Sequence, residues 1–392
     1  MLLVHAVTTH INFHKPYFER FRFLNSHGFK IIAVSSPGDS AFYECAKNSG
    51  ISTYSIPFTR RIDPRIDIFS FLHLCSFLLQ RRPTIVHCQS PKAGILGMVA
   101  SWITRIPIRV LSMYGLPPNS ENKLVSGILL SSTKLACRLA TRVLCDGKVL
   151  RRVLVANGYC RPGKIKVLHN GSANGVDARQ LFNPDRFSNQ YRRAMRRQWK
   201  IALDATVIGF LGRIVPDKGV LELIQAWQKL RSHFNKLHLL VVGPFEDEHP
   251  LPKELRILFK SDPRIHLTGY VPIEETPKLY SVMDIIALPS YREGFSAVPI
   301  EAGAMRLPVV VTNVPGAADI VEHNATGIVV PPHDAKALAR AIRHLITNPT
   351  IRQQMGDEAR RRVVRDFCPQ DIWEALAKEY YLLARNQGLL GS

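Results

Sequence analysis

Much is missing from this 392-residue chain. No run approaches the ~18 apolar residues needed to cross a bilayer. The best candidate, Ile68–Leu79 (IFSFLHLCSFLL), is too short and holds a histidine. Met1–Val7 is apolar, but it lacks a basic leading segment and a small-residue cleavage site, so it does not read as a secretory signal. A soluble or peripheral cytoplasmic protein is therefore expected. The seven cysteines, at 45, 75, 88, 137, 145, 160 and 368, form no CxxC pair. An odd, scattered set in a long chain argues for free thiols in a reducing compartment and against a zinc site or disulfide framework. There is no internal repeat and no low-complexity tract.

Acidic residues are scarce on one side only. Residues 1–183 hold 24 Lys and Arg against 8 Asp and Glu, and residues 184–203 hold 6 against 1. Residues 204–392 balance at 22 and 22, so the net charge of +21 lies in the first half and the junction. Such a one-sided field suits an anionic partner: nucleic acid, anionic lipid or a phosphorylated substrate. The hydrophobic fraction of 46% and charged fraction of 21% are those of globular chains, which excludes a disordered or collagen-like protein. The length suits two or three domains.

Short apolar strands alternate with helix-length segments throughout, the pattern of parallel α/β layers. Leu2–Val7, Lys30–Ser35, Thr53–Ile56, Thr84–His87, Arg109–Met113 and Lys166–Leu168 read as strands of the first half. Helical stretches such as Lys15–His27, Ile68–Gln80 and Lys92–Thr104 lie between them. Pro117–Pro118 and Pro162–Gly163 mark loops. A second series starts at Val207–Leu211 and continues through His238–Val242, Ile265–Thr268, Ile285–Leu288, Val309–Thr312 and Gly327–Val330. The Arg-rich stretch after Asn183-Pro184 is the natural junction. Two doubly wound domains separated by a cleft are expected, with ligands at the carboxyl ends of the strands.

Two segments carry chemistry. In Val207–Trp227 (VIGFLGRIVPDKGVLELIQAW), a buried strand runs into Gly212-Arg213, then Lys218-Gly219 and a helix. Arg offers a planar fork and Lys a point charge, and both flank one loop, a combination suited to a diphosphate. In Pro289–Pro308 (PSYREGFSAVPIEAGAMRLP), a strand ends, Glu293-Gly294-Phe295-Ser296 follow, and a helix opens that carries Glu301. The free N–H groups at a helix start form an anion site. Two carboxylates eight residues apart flank it, and carboxylates accept hydrogen bonds from sugar or ribose hydroxyls. Read singly, Glu301 is a helix-dipole partner and Glu293 a loop charge.

The combination Arg213…Lys218 followed by Glu293-x7-Glu301 resembles the donor site of retaining family-four glycosyltransferases with the GT-B fold. Ser36-Pro37-Gly38, Ser90-Pro91-Lys92-Ala93-Gly94, Asn170-Gly171-Ser172 and Thr326-Gly327 look like the branch that builds capsular polysaccharide and O-antigen. The resemblance implies a GT-B architecture of two Rossmann-like domains facing each other across a cleft. An acceptor-binding domain would span 1–183, a basic linker 184–203 and a nucleotide-sugar domain 204–375, with a helix at 376–392 packing back on the first domain. It implies that Arg213 and Lys218 hold the donor diphosphate and stabilise the leaving nucleotide. Glu293 would contact the transferred sugar and Glu301 the ribose. Gly212, and the backbone of Gly294, Phe295, Ser296, Ala297 and Val298, would bind the donor, with Val271 near the base. Transfer would use a nucleotide sugar, UDP-linked by family habit, and no metal cofactor; the acidic run Glu246-Asp247-Glu248 reads as a solvated loop. The positive cradle would then do most of the catalysis, by stabilising the negative charge on the departing diphosphate.

The chain departs from the family in places. Tyr114-Gly115 stands where His-Gly is frequent, and Thr8-Thr9-His10 where Gly-Gly is. Lys92, His87 and Tyr114 are the candidate acceptor residues, although His87 also reads as a strand-end core histidine. A polyprenyl-diphosphate-linked saccharide as acceptor would bring the basic half to the inner face of an anionic membrane. Ile68–Leu79, flanked by Arg60, Arg61, Arg65, Arg81 and Arg82, is either a membrane-dipping helix or a buried helix with basic loops at both ends. Its apolar residues cover too many faces for a clean interfacial helix, so the buried helix is expected. The cluster Arg192, Arg193, Arg196, Arg197 and Lys200 is a second candidate for lipid contact. Two other readings compete. One is a nucleotide-sugar epimerase on a similar fold, which needs no acceptor. The other is a basic nucleic-acid-binding protein, for which no aromatic-basic strand motif or helix-turn-helix signal is present.

Overall fold

A computed structural model of the chain describes residues 1–390 except 14, 60, 90, 116–122, 173 and 247–249, with the backbone alone at 123 and 124. Ser90, Arg60, Pro117–Pro118 and Asp247-Glu248 therefore lie outside the described residues. The chain forms two compact units: residues 1–174 with 369–392, and residues 175–368.

The first unit runs β1 (Leu2–Ala6), α1 (Lys15–Ser26), β2 (Lys30–Ser35), α2 (Ser40–Asn48), β3 (Ser52–Ser55), α3 (Pro64–Arg81), β4 (Ile85–Gln89), α4 (Pro91–Ile103), β5 (Ile108–Met113), α5 (Lys123–Leu139), β6 (Arg142–Cys145), α6 (Lys148–Ala156) and β7 (Ile165–Val167). The second runs α7 (Asn189–Gln198), β8 (Thr206–Leu211), α8 (Val220–Arg231), β9 (Leu237–Val242), α9 (Lys253–Ser261), β10 (Ile265–Leu267), α10 (Thr276–Tyr280), β11 (Ile285–Leu288), α11 (Ala297–Ala304), β12 (Val309–Thr312), β13 (Gly327–Val330), α12 (Ala335–Thr347) and α13 (Pro349–Asp366). The last helix, α14 (Pro369–Asn386), returns to the first unit.

Each unit is built on one parallel sheet. The orders are β3-β2-β1-β4-β5-β6-β7 and β10-β9-β8-β11-β12-β13. Helices cover both faces, so the strands read as near-continuous apolar runs. Two apolar clusters flank each sheet. In both sheets the strand order reverses beside the first strand, between β1 and β4 and between β8 and β11. Crevices at such switch points, outside the carboxyl ends of the strands, are where doubly wound sheets bind ligands.

Two segments differ from the sequence reading in ways that matter. The stretch expected to be a basic linker, 184–203, lies inside the second unit. Its Arg196 fork bonds the carbonyls of Leu203, Ala205 and Val282 and pairs with Asp284 at 2.8 Å. Arg192 bonds the carbonyl of Pro184. These two guanidiniums close helix ends and strand edges and are not free for lipid. The return of α14 rests on Glu379, which is buried and meets Arg142 at 2.7 Å and Lys166 at 2.5 Å. Those two cations sit at β6 and β7, so a single buried carboxylate ties the end of the chain to the far side of the first sheet.

Helix α3 lies on the first sheet but is not buried all round. Asp63 caps it, accepting from the N–H of Arg65 and Ile66, and Pro64 occupies its first turn. Ser70, Leu74, Phe77 and Leu78 face inward. Ile68, Phe69, Leu72 and Leu79 recur at helical spacing on the opposite side and are 57–62% exposed. One stripe suffices to fill the contact with the layer beneath. The second apolar stripe is left facing solvent, between Arg61 and Arg65 at one end and Arg81 and Arg82 at the other.

Candidate active site

The donor-type motifs meet at the switch point of the second sheet. β8 and β11 are adjacent, with Ile208 opposite Ile285, so the loops that follow them emerge side by side. Glycines allow close backbone approach here, Gly219 between those two loops and Gly316 between the loops after β11 and β12. Gly219 has φ of 66°, and a Cβ there would lie 1.9 Å from the carbonyl oxygen of Pro289. Gly316 has φ of 84°, and a Cβ there would lie 1.1 Å from that of Gly294. No other residue fits either place. The N–H of Tyr291 donates to the carbonyl of Asp217 at 2.9 Å, stitching the two loops directly.

Lys218 and Glu293 are thereby brought together. The ammonium donates to Oε1 of Glu293 at 2.7 Å, and the Ser290 hydroxyl donates to the same oxygen at 2.6 Å. Both side chains are largely buried. Glu293 is thus no loop surface charge but half of a shielded ion pair. Such a pair holds its geometry because loss of either partner strands a charge.

Arg213 stands apart. The backbone after β8 continues alongside the loop after β9, with Gly212 N–H on the Val242 carbonyl and Ile214 N–H on that of Pro244. This register places the half-exposed Arg213 beside Glu246, at 2.9 Å. The two cations expected on a single anion are each paired with a separate carboxylate. Glu246 was read from the sequence only as part of a solvated acidic run; its role opposite Arg213 follows from β8–β9 pairing, which no local signal reports.

Glu301 lies in the second turn of α11, which opens after Ser296, and it is buried. The Tyr280 hydroxyl donates to it at 2.8 Å. Burial pushes its pKa up to about 7, against the lowering effect of that hydrogen bond. A carboxyl in this state can release a proton when hydroxyl donors arrive. The opening N–H groups of α11, at Ala297 and Val298, have no acceptor within the helix. Phe295, Val298 and Val271 are partly buried against the apolar cluster under β8 and α11. Tyr280 had no sequence signal, because it reaches Glu301 from α10.

The candidate acceptor residues sit in the first unit. His87 is buried, with Nδ1 on the Tyr380 hydroxyl at 2.5 Å and Nε2 on the Ser112 hydroxyl at 2.6 Å. Burial drives its pKa well down. It is a core histidine tying β4 to α14 and cannot touch a substrate. Lys92 donates to Asp67 at 2.6 Å, to the Thr59 hydroxyl at 3.0 Å and to the Arg61 carbonyl. Its three protons are engaged, so it braces the start of α3 and has none free for a phosphate. Tyr114 lines a cavity and shares a hydrogen bond with Tyr17.

Comparison with known proteins bears on this arrangement. Residues 191–362 match the model of glycosyl transferases group 1, and residues 22–171 that of a glycosyl transferase 4-like domain. The capsular polysaccharide biosynthesis glycosyltransferase CapM of Staphylococcus aureus is 32% identical over 361 residues, 92% of each chain. The chain belongs to the group 1 glycosyltransferases. A 23% identical relative of this glycosyltransferase is the UDP-Gal:alpha-D-GlcNAc-diphosphoundecaprenol alpha-1,3-galactosyltransferase of Escherichia coli, matched over 82% of this chain and 81% of that one. The crystal structure of Anabaena HepE in complex with UDP superposes with a TM-score of 0.78 at 20% identity, covering 97% and 100% of the two chains. The fold is therefore GT-B. Membership of this family removes the motive for the epimerase and nucleic-acid readings.

Proposed function

We propose that this glycosyltransferase moves a sugar, with retention, from a UDP-sugar to a growing polyprenyl-diphosphate-linked saccharide of cell-surface polysaccharide assembly. The observation that carries the reading is the junction of the β8 and β11 loops, which holds the shielded Lys218–Glu293 pair, with Arg213 earlier in the β8 loop and α11 opening after the β11 loop. Arg213 and Lys218 would exchange their carboxylate partners for the donor diphosphate, and the helix start would take its β-phosphate. Positive charge preorganised there stabilises the departing nucleoside diphosphate without a metal ion. In the front-face step the bond from the anomeric carbon to the phosphate oxygen breaks as the acceptor oxygen bonds to that carbon. The acceptor's proton passes to the leaving phosphate. Glu293, released from Lys218, would hold the sugar, and Glu301 the ribose. The donor and acceptor named for the Escherichia coli relative, the UDP bound in HepE and the capsular role named for CapM support these finer choices.

No described helix is long and apolar enough to cross a membrane. We read the protein as peripheral on the inner face of the cell membrane. The first unit holds 25 Lys and Arg against 10 Asp and Glu, where the second holds 27 against 21. The outward stripe of α3, with arginines at both ends, offers apolar contact where the charge offers attraction to anionic lipid.

A panel of nucleotide sugars, scored first by thermal shift and then by transfer to a lipid-linked saccharide, tests the reading. UDP-sugars should stabilise the protein, and Arg213→Ala should weaken that binding about tenfold or more, within the range of a lost charge-assisted hydrogen bond. Anomeric configuration of the product, read by NMR, tests retention. Binding of UDP unaltered in Arg213→Ala would remove the diphosphate assignment.

A further inference from the structure

The first unit contains a cavity of about 790 Å³ above the carboxyl ends of β4 and β5, between the start of α3, α4 and α5. That is the size of a small-molecule site. Its walls are apolar for the most part: Ile95 and Leu96 from α4, Leu111 and Met113 from β5, Leu129 and Ala136 from α5. Ile62 and Ile128 also line it and are 64% and 65% exposed, so the apolar surface runs outward from the cavity without a polar break at those two residues. Ile62 lies just before the start of α3, whose outward stripe begins at Ile68 and Phe69. The cavity is thus apolar, while the unit around it carries a large excess of positive charge, with Arg61 and Arg65 exposed on either side of Ile62. A ligand complementary to both is amphipathic, with an anionic head and a hydrocarbon tail.

We propose that this cavity holds the head-proximal isoprene units of a prenyl diphosphate acceptor, the chain leaving past Ile62 and Ile128 toward the α3 stripe. The proposal rests on the lipid-linked acceptor reading above and specifies which part of that acceptor the protein grips. It assigns chain recognition to the apolar residues of the α4–α5 wall; Lys92, which also lines the cavity, is already engaged with Asp67, and His87 is buried in the core. Specificity for the lipid carrier then comes from shape and apolar contact, with the diphosphate held by the surrounding positive field.

Farnesyl diphosphate is the probe, with inorganic pyrophosphate as the chainless control and UDP as the donor control, all measured by calorimetry on the full chain. The intact protein should bind farnesyl diphosphate at least tenfold more tightly than pyrophosphate. Thr133→Phe places a ring in the cavity from α5, and Ile128→Asn removes an exposed apolar lip with no core packing to lose. Each should abolish most of the preference for the prenyl chain and leave UDP binding unchanged, which also reports an intact fold. Full farnesyl preference in both variants overturns the cavity assignment but leaves lipid-linked transfer standing. UDP binding with no preference for farnesyl diphosphate over pyrophosphate in the intact protein overturns the assignment as well. Failure of the intact protein to glycosylate a prenyl-linked saccharide, with UDP still bound, overturns the acceptor reading and the cavity with it.

Discussion

In the second unit, the charged groups at the candidate active site each meet a polar partner: Lys218 with Glu293, Glu293 with Ser290, Arg213 with Glu246, and Glu301 with Tyr280. In the first unit the open cavity is walled by leucine, isoleucine and methionine, and its cations lie elsewhere or are spent on bracing. The first arrangement orders charge, as the proposed displacement of a diphosphate would require. The second provides shape and apolar area, which under the proposal above would discriminate a carrier by size and hydrocarbon content. The difference lies in how charge is used: paired at close range in the second unit, and spread as a net positive excess around an apolar cavity in the first.

The sharpest way to break the comparison is Lys218→Ala. It removes leaving-group stabilisation, for an expected loss of about 10²–10³-fold in kcat. It also strands the buried Glu293, for an expected cost of about 3–5 kcal/mol. Adding Glu293→Gln should restore the melting temperature but not turnover. Denaturant melts and single-turnover assays read the two separately, and a Lys218→Ala protein of normal activity would dissolve the site.

Glu301 makes a pH-dependent prediction. Its carboxyl titrates near pH 7 when folded, above its ordinary value near 4.5. Between those values the unfolded chain holds fewer protons than the folded one, so stability falls as pH rises through the window and stays low above it. Glu301→Gln removes that dependence. The variant should match the parent at pH 4.5 and exceed it at pH 8 by roughly 3 kcal/mol at most. The same carboxyl should favour nucleotide binding as pH rises from 5 to 8, because ribose hydroxyls stabilise the carboxylate. Calorimetry in buffers of different ionisation enthalpy would detect proton release on binding, and its absence would remove the ribose role.

A smaller effect tests the first unit. Phe69→Glu with Leu72→Glu alters only exposed positions, so stability should stay within about 0.5 kcal/mol. Flotation with anionic vesicles should drop by at least tenfold, since losing even one side chain's ~1.5–3 kcal/mol of apolar burial in lipid is a factor of about ten or more. Equal flotation of parent and variant, or equal binding to neutral vesicles, would sink the docking face. The smallest expected effect is Glu246→Gln. An exposed pair is worth ~0.2–1 kcal/mol, so freeing Arg213 should raise UDP affinity by no more than about fivefold.

Some of this was open to a reader of the chain alone. All six strands of the second sheet follow from short apolar runs bounded by turns, because a parallel sheet buried on both faces leaves that mark. The first sheet was read less well. β6, Arg142–Cys145, has four residues and begins with an arginine, and so offered too little pattern. The paired glutamates were visible through their spacing. Their partners were not, because Tyr280, Ser290 and Glu246 reach the site from other elements. α3 shows the limit most clearly. Its sequence showed apolar residues on too many faces for an interfacial helix, which pointed to burial, and could not tell that the fold would cover only one side.

The amino-acid order by itself determined the doubly wound class, the glycosyltransferase motifs and the concentration of positive charge in the first half and junction. These are local or additive properties: periodicity, loop chemistry and a sum of charges. Tertiary structure alone decided that Lys218 and Arg213 face different carboxylates, that His87 is core, that the Arg-rich stretch belongs to the second unit and that one stripe of α3 stays in water. Each of those depends on which distant segments the sheet order sets side by side, and that proximity is written in no single stretch of the chain.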